Sequence, residues 1–225
     1  MTSFRIVLLA LTGVLVCACS NQRALHMVED SGERAMRRGD YRLAESEYRE
    51  IVDRRPGRWD ARIELGRALL ELDQPAEARE ELEVAYTINP NDAELLELLA
   101  EAMLGSGDVD AMARELRHRA VESNTVPDWL RLGIFLQRAG DLDGAEQALL
   151  TAAQLDRGRR VQPQTSLAAL YRAAGDDAKA LLRLRMALYI NPDDARVQEL
   201  IRSYGEVPGP TYAVEPTEAR ADVER

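Results

Sequence analysis

Along residues 25–204 apolar positions return in steps of three and four, and nowhere do apolar and polar residues alternate for long enough to argue a strand. Arg62-Ile63-Glu64-Leu65-Gly66-Arg67-Ala68-Leu69 carries this spacing, and so does the run from Ala76 to Ala85. Each run is one amphipathic helix with one apolar stripe. The runs are punctuated at regular distances. Gly39, Asp73, Gly107, Gly140 and Gly175 stand 34, 34, 33 and 35 residues apart. Four of the marks continue as Gly-Asp, and the other reads Asp73-Gln74-Pro75. A second ladder runs Pro56, Pro90 and Pro192, with Asn124 and Arg157 at the two missing rungs. The pattern predicts a helix–turn–helix unit repeated five times.

The first residues have a different pattern. Arg5 precedes an uncharged apolar run from Ile6 to Ala18. As a helix these about 13 residues would reach about 20 Å, short of the roughly 30 Å hydrocarbon core, so a secretory signal over 1–18 is expected rather than a membrane span. Val16-Cys17-Ala18-Cys19 resembles a bacterial lipobox. The resemblance makes Cys19 the first mature residue and its lipidation site, with 19–24 as a linker. Ser20, in place of Asp, resembles outer-membrane sorting in Gram-negative lipoproteins. Several acyl chains on one residue anchor stably where one would not.

The periodic body resembles the tetratricopeptide repeat family. Trp129-x2-Leu132-Gly133-x2-Leu136, followed by Gly140-Asp141, Ala145, Leu149 and Ala152, follows that consensus nearly throughout. Leu65, Gly66, Leu69, Ala78, Leu82, Ala85 and Pro90 match in the second copy; Leu167, Tyr171, Gly175, Ala180, Leu184, Ala187 and Pro192 match in the last. Gly32, Gly39, Tyr41, Ala44, Tyr48 and Pro56 match in the first. The third copy departs from it, with Met112 in place of a small residue and Arg119 in place of alanine. The resemblance implies an all-α fold: a right-handed superhelical solenoid of about five repeats over 25–58, 59–92, 93–125, 126–159 and 161–194. A capping helix is expected over 195–204. Small residues would let paired helices approach, glycine at the marks would supply left-handed caps, and the following Asp would cap the next helix. Pro208, Pro210 and Pro216 exclude a continuous helix in 205–225, which is expected to be a disordered tail.

Composition narrows the function. The formal charge is −10, which argues against a nucleic-acid partner. The two cysteines sit at 17 and 19, the two histidines at 26 and 118, and the one lysine at 179. No cofactor, metal site or catalytic constellation is expected, and the chain is read as a non-enzyme. Arg157-Gly158-Arg159-Arg160 is a small basic loop, read as solvated. The family resemblance places Glu29, Glu33, Arg37, Arg67, Glu71, Glu97, Glu101, Leu130, Ile134, Arg138, Thr165 and Arg172 on a concave face that would hold a protein partner. The expected function is a membrane-anchored interaction scaffold in the cell envelope, on the outer membrane facing the periplasm. Its layout is similar to that of tetratricopeptide lipoproteins that assist type IV pilus secretins. Adaptors for outer-membrane barrel assembly or cell-wall hydrolases are the alternative, with a cytoplasmic regulator or an enzyme subunit behind them.

Overall fold

A computed structural model describes residues 23–220. The expected signal peptide and the lipidation site Cys19 lie outside the described residues. Among the described residues the regular structure is helical throughout. The helices pair as the repeats require: α1 (Leu25–Arg38) with α2 (Tyr41–Arg54), α3 (Trp59–Glu71) with α4 (Pro75–Ile88), and α5 (Ala93–Gly105) followed by α6 (Val109–Ser123). Then come α7 (Val126–Arg138) with α8 (Leu142–Asp156), and α9 (Val161–Ala173) with α10 (Asp177–Ile190). The cap is α11 (Ala195–Ser203), and a single turn, α12 (Thr217–Arg220), closes the described chain.

The punctuation marks act through backbone geometry. Gly39, Gly107, Gly140 and Gly175 take φ between 72° and 87°, a region in which a Cβ is strained. Asp73 holds the same place at φ 58°. The next residue then caps the second helix of the pair: Asp40, Asp141 and Asp176 accept from the backbone N–H three residues on. Gln74 makes no such bond, and Pro75 opens α4 instead. At the two missing proline rungs, Asn124 and Arg157 are left-handed, with φ of 46° and 56°. They end α6 and α8 as C-caps, so the helix stops without proline.

The small residues fix how closely each pair packs. A Cβ on Gly66 would lie 2.6 Å from Leu82 Cγ, and one on Gly133 would lie 2.6 Å from Leu149 Cγ. Gly32 stands over the Tyr48 ring in the same way, at 3.0 Å. The partner comes sixteen residues later each time, one helix and one turn along. Met112, large where the repeat has a small residue, is fully buried.

The described residues form two compact units, divided between residues 99 and 100 within α5 of the divergent third repeat. In the N-terminal unit α2 packs against both α1 and α3, and α3 against α4. Its core includes Val28, Tyr48, Ile51, Leu65, Leu69 and Leu82. In the C-terminal unit α7 packs on α6, α8 and α9, and α10 packs on α9 and α11. Leu132, Leu136, Leu149, Leu167 and Leu188 are buried there.

The tail departs from its expected disorder. Residues 205–220 fold back over the C-terminal unit. Tyr212 and Ala213 pack against the core formed by Ala168, Leu184, Leu188, Val197 and Ile201. Val214 N–H donates to Arg185 O at 3.1 Å, and Arg185 Nε donates to Tyr212 O at 2.8 Å. The Arg185 guanidinium lies 4.7 Å from the Tyr212 ring centroid. Pro216 is buried against Gly158, where an added Cβ would meet it at 3.1 Å. Glu218 and Arg183 form an ion pair at 2.6 Å with both side chains almost fully enclosed. Three prolines do forbid a continuous helix, but they leave an extended strap free to dock.

Candidate binding grooves

Each unit carries a groove on the side of its first helices. In the N-terminal unit a groove of about 340 Å³ lies between α1 and α3, with the Tyr48 phenol among its walls. Glu29, Glu33, Asp60 and Glu64 supply its charge, against Arg37 alone. All four acids are already engaged. Arg58 pairs with both Glu29, at 2.7 Å, and Asp60, at 2.6 Å. Arg37 reaches Glu33 at 3.5 Å, and Arg67 reaches Glu64 at 3.4 Å. The Arg58 hydrogen bond holds the Asp60 carboxyl below the ordinary range. Burial instead pushes the Glu64 carboxyl up, and it drives the Tyr48 hydroxyl up as well.

The larger groove, of about 800 Å³, belongs to the C-terminal unit. Its walls come from α7, α9 and α11. Helix periodicity builds them: Ile134 and Arg138 are one turn apart on α7, Thr165, Ala169 and Arg172 follow the same spacing on α9, and Arg196, Leu200 and Tyr204 do so on the cap. The floor is apolar, with Ile134, Ala168, Leu184 and Leu200. The amide and hydroxyl groups of Gln137, Gln162, Thr165 and Ser166 lie beside it. Among the described residues no acidic side chain lines this groove, whereas Arg138, Arg172 and Arg196 all do. Arg138 is held by a two-pronged pair to Glu101, whose carboxyl it lowers. Arg172 and Arg196 are exposed and have no side-chain partner among the described residues.

The structure sorts the expected groove residues. Glu29, Glu33 and Arg37 line the N-terminal groove. Ile134, Arg138, Thr165 and Arg172 line the C-terminal one. Glu101 stands behind Arg138 as its counter-charge. Arg67 is bound between Glu64 and Glu94, while Glu71 and Glu97 are exposed outside both grooves. Leu130 is corrected: it is only 3% exposed and belongs to the core, because it shares with Val126 and Gly133 the stripe that α7 turns inward, while Ile134 one turn on is exposed. Sequence reasoning missed Arg196, Leu200 and Tyr204. Their i, i+4, i+8 spacing lies on the cap, outside the repeat positions that the family resemblance places on the concave face.

Other candidates lead elsewhere. The Asp156 carboxylate accepts from the N–H groups of Arg159 and Arg160 and braces the basic loop from within. His118 is exposed and faces Glu122 at 4.0 Å. Among the described residues no cluster of His, Cys, Asp and Glu could hold a metal ion, and no helix is long and apolar enough to cross a membrane.

The comparisons agree with this architecture. The tetratricopeptide repeat family model matches residues 30–93. No curated protein matches the chain by sequence. A crystal structure of MamA superposes with a TM-score of 0.59 at 19% identity, covering 76% of this chain and 94% of that one. TTC0263, a thermophilic tetratricopeptide protein of Thermus thermophilus, gives 0.54 at 22% identity, covering 80% and 98%. YrrB, described as a tetratricopeptide protein with an unusual peptide-binding site, gives 0.50 at 19% identity, covering 76% and 88%. At these identities the likeness is one of fold. Residues 30–93 thus match the tetratricopeptide repeat family, and the described helix pairs on both sides of the division in α5 have the fold of tetratricopeptide proteins.

Proposed function

We propose that this protein is a lipid-anchored scaffold of the cell envelope, tethered through Cys19 and binding a segment of another protein along its first-helix grooves. The repeat fold supports the scaffold part, since stacked helix pairs present open grooves rather than enclosed pockets. The observation that carries the reading is the C-terminal groove, with an apolar floor, polar sides and two arginines left without partners. Such a surface can satisfy the backbone and side chains of an extended or helical segment. It brings together no nucleophile with a base, so binding rather than turnover is the chemistry it offers. The anchor rests on the apolar run and on Val16-Cys17-Ala18-Cys19. Secretin assembly in a pilus system is the architectural parallel, and barrel assembly or wall hydrolysis are the other envelope settings of the same reading.

Fractionation with crosslinking tests both halves. The full-length protein is expected in the membrane pellet after alkaline washing, and Cys19→Ala should release it to the soluble fraction. A photocrosslinker at Thr165 should trap envelope proteins. Retention of Cys19→Ala in the pellet would refute the anchor, and an absence of crosslinks from both grooves would refute the scaffold.

A further inference from the structure

The two grooves are built from the same repeat but differ in the charge left over for a partner. The whole chain carries a formal charge of −10, so a random wall of this size would include carboxylates. The C-terminal groove includes none. Of its three arginines, Arg138 is spent on Glu101. Arg172, at the end of α9, and Arg196, on the cap helix, are not spent. The two stand on different helices of one groove, with Ala168, Ala169 and Leu200 among the other residues that line it. Arginine presents a planar fork that pairs with carboxylates two bonds at a time. An exposed arginine loses little hydration when it does so at a groove rim, and the unpaired charges steer an oppositely charged partner on approach.

We propose that the C-terminal groove receives an acidic, partly apolar segment of a partner protein, with carboxylates on Arg172 and Arg196 and an apolar side chain against Ile134 and Leu200. This rests on the scaffold reading and names the class of segment the scaffold takes. The apolar floor and the flanking Gln137, Gln162 and Ser166 select a peptide over a phosphate polymer, which would want a continuous basic stripe. The cap therefore does more than cover the last repeat. It carries one arginine of the pair, and the strap packs against it through Tyr212 and Ala213.

The test is fluorescence anisotropy on the full-length protein in detergent. The probes are a labelled peptide alternating Glu and Leu, its Lys-Leu counterpart, and an oligonucleotide of matching charge. The Glu-Leu peptide should bind, more weakly as salt rises. Arg172→Glu with Arg196→Glu should weaken it about tenfold or more, Arg172→Gln with Arg196→Gln by less, and Glu122→Gln, exposed outside both grooves, not at all. Circular dichroism should show all variants folded, since both arginines are exposed. Tighter binding of the Lys-Leu peptide or of the oligonucleotide would overturn the proposal, as would indifference to the charge reversals. If the Lys-Leu peptide binds and Ile134→Asp displaces it, the scaffold reading stands and the acidic specificity falls. If no peptide binds and Thr165 crosslinks to nothing, both fall together.

Discussion

The N-terminal groove is acidic and internally satisfied; the C-terminal groove is acid-free and partly unsatisfied. In the first, Arg58, Arg37 and Arg67 each close onto a groove carboxylate. In the second, Arg172 and Arg196 face the groove alone. The helices that form the two grooves obey the same repeat rules, so the rules fix where a groove lies and not what it binds. Binding chemistry is decided by a few exposed positions that the packing logic leaves free. The units also differ in how they are closed: among the described residues a strap, 205–220, covers the C-terminal one.

The largest effect should come from removing that strap. Ending the chain after Gly205 would strip Tyr212, Ala213, Pro216 and Glu218 from the C-terminal unit and remove the carboxylate that pairs with Arg183. The apolar contacts of Tyr212, Ala213 and Pro216 are lost together with that pair, at a cost of about 3 kcal/mol or more. Hydrogen exchange should therefore show α9 and α10 losing protection while α2 and α3 keep theirs. Equal loss in both units would erase the contrast in how they close.

Smaller but still plain effects belong to the glycines. Gly66→Ala and Gly133→Ala each drive a methyl to 2.6 Å from a leucine Cγ, at a cost of about 2 kcal/mol. Gly32→Ala meets the Tyr48 ring at 3.0 Å. There the ring need give by only a few tenths of an ångström, and the cost should stay under about 1 kcal/mol. Denaturant midpoints of the three variants measure this directly. A Gly32→Ala cost equal to the others would mean that the Tyr48 ring is as fixed as the leucines.

Acid should also loosen the strap. Burial works to raise the Glu218 carboxyl, but the Arg183 hydrogen bond and charge, joined by backbone and Thr217 hydrogen bonds, together outweigh it, so Glu218 titrates below the ordinary 4.5. A carboxyl depressed in the folded state adds stability above its unfolded value and loses it as pH falls through the folded one. The C-terminal unit should therefore weaken progressively below about pH 4.5. Glu218→Gln should flatten that acid limb while lowering stability at neutral pH. An unchanged limb would show that the pair contributes nothing to it. The smallest effect is expected at Glu33→Gln, since its pair with Arg37 is exposed on both sides. Thermal melts should move by no more than about 0.5 kcal/mol equivalent.

Much of the fold was legible because repeats encode themselves locally. A glycine at φ above 70°, an Asp cap and a small residue sixteen positions before a leucine are all short-range facts, and they recur. The groove was half legible. Ile134, Arg138, Thr165 and Arg172 follow from their places in the repeat, whereas Arg196 and Leu200 lie on a helix outside it. Leu130 was misplaced because one turn along α7 separates a buried leucine from an exposed isoleucine. The strap was not legible. Pro216 against Gly158, or Glu218 against Arg183, joins residues tens of positions apart, and a Pro-rich composition carries no record of such partners. The same limit hid the pairing state of the arginines: the sequence shows Arg138 and Arg172 alike, and only the structure gives Glu101 to one of them.

The measurement closest to the central claim is in-cell photocrosslinking from Thr165, with the trapped segment identified by mass spectrometry and repeated in the Arg172→Glu, Arg196→Glu background. The account predicts a discrete partner segment rich in Asp and Glu, lost on charge reversal, and not captured from Glu33 in the N-terminal groove. A basic or neutral segment, or capture that survives the reversal, would contradict it.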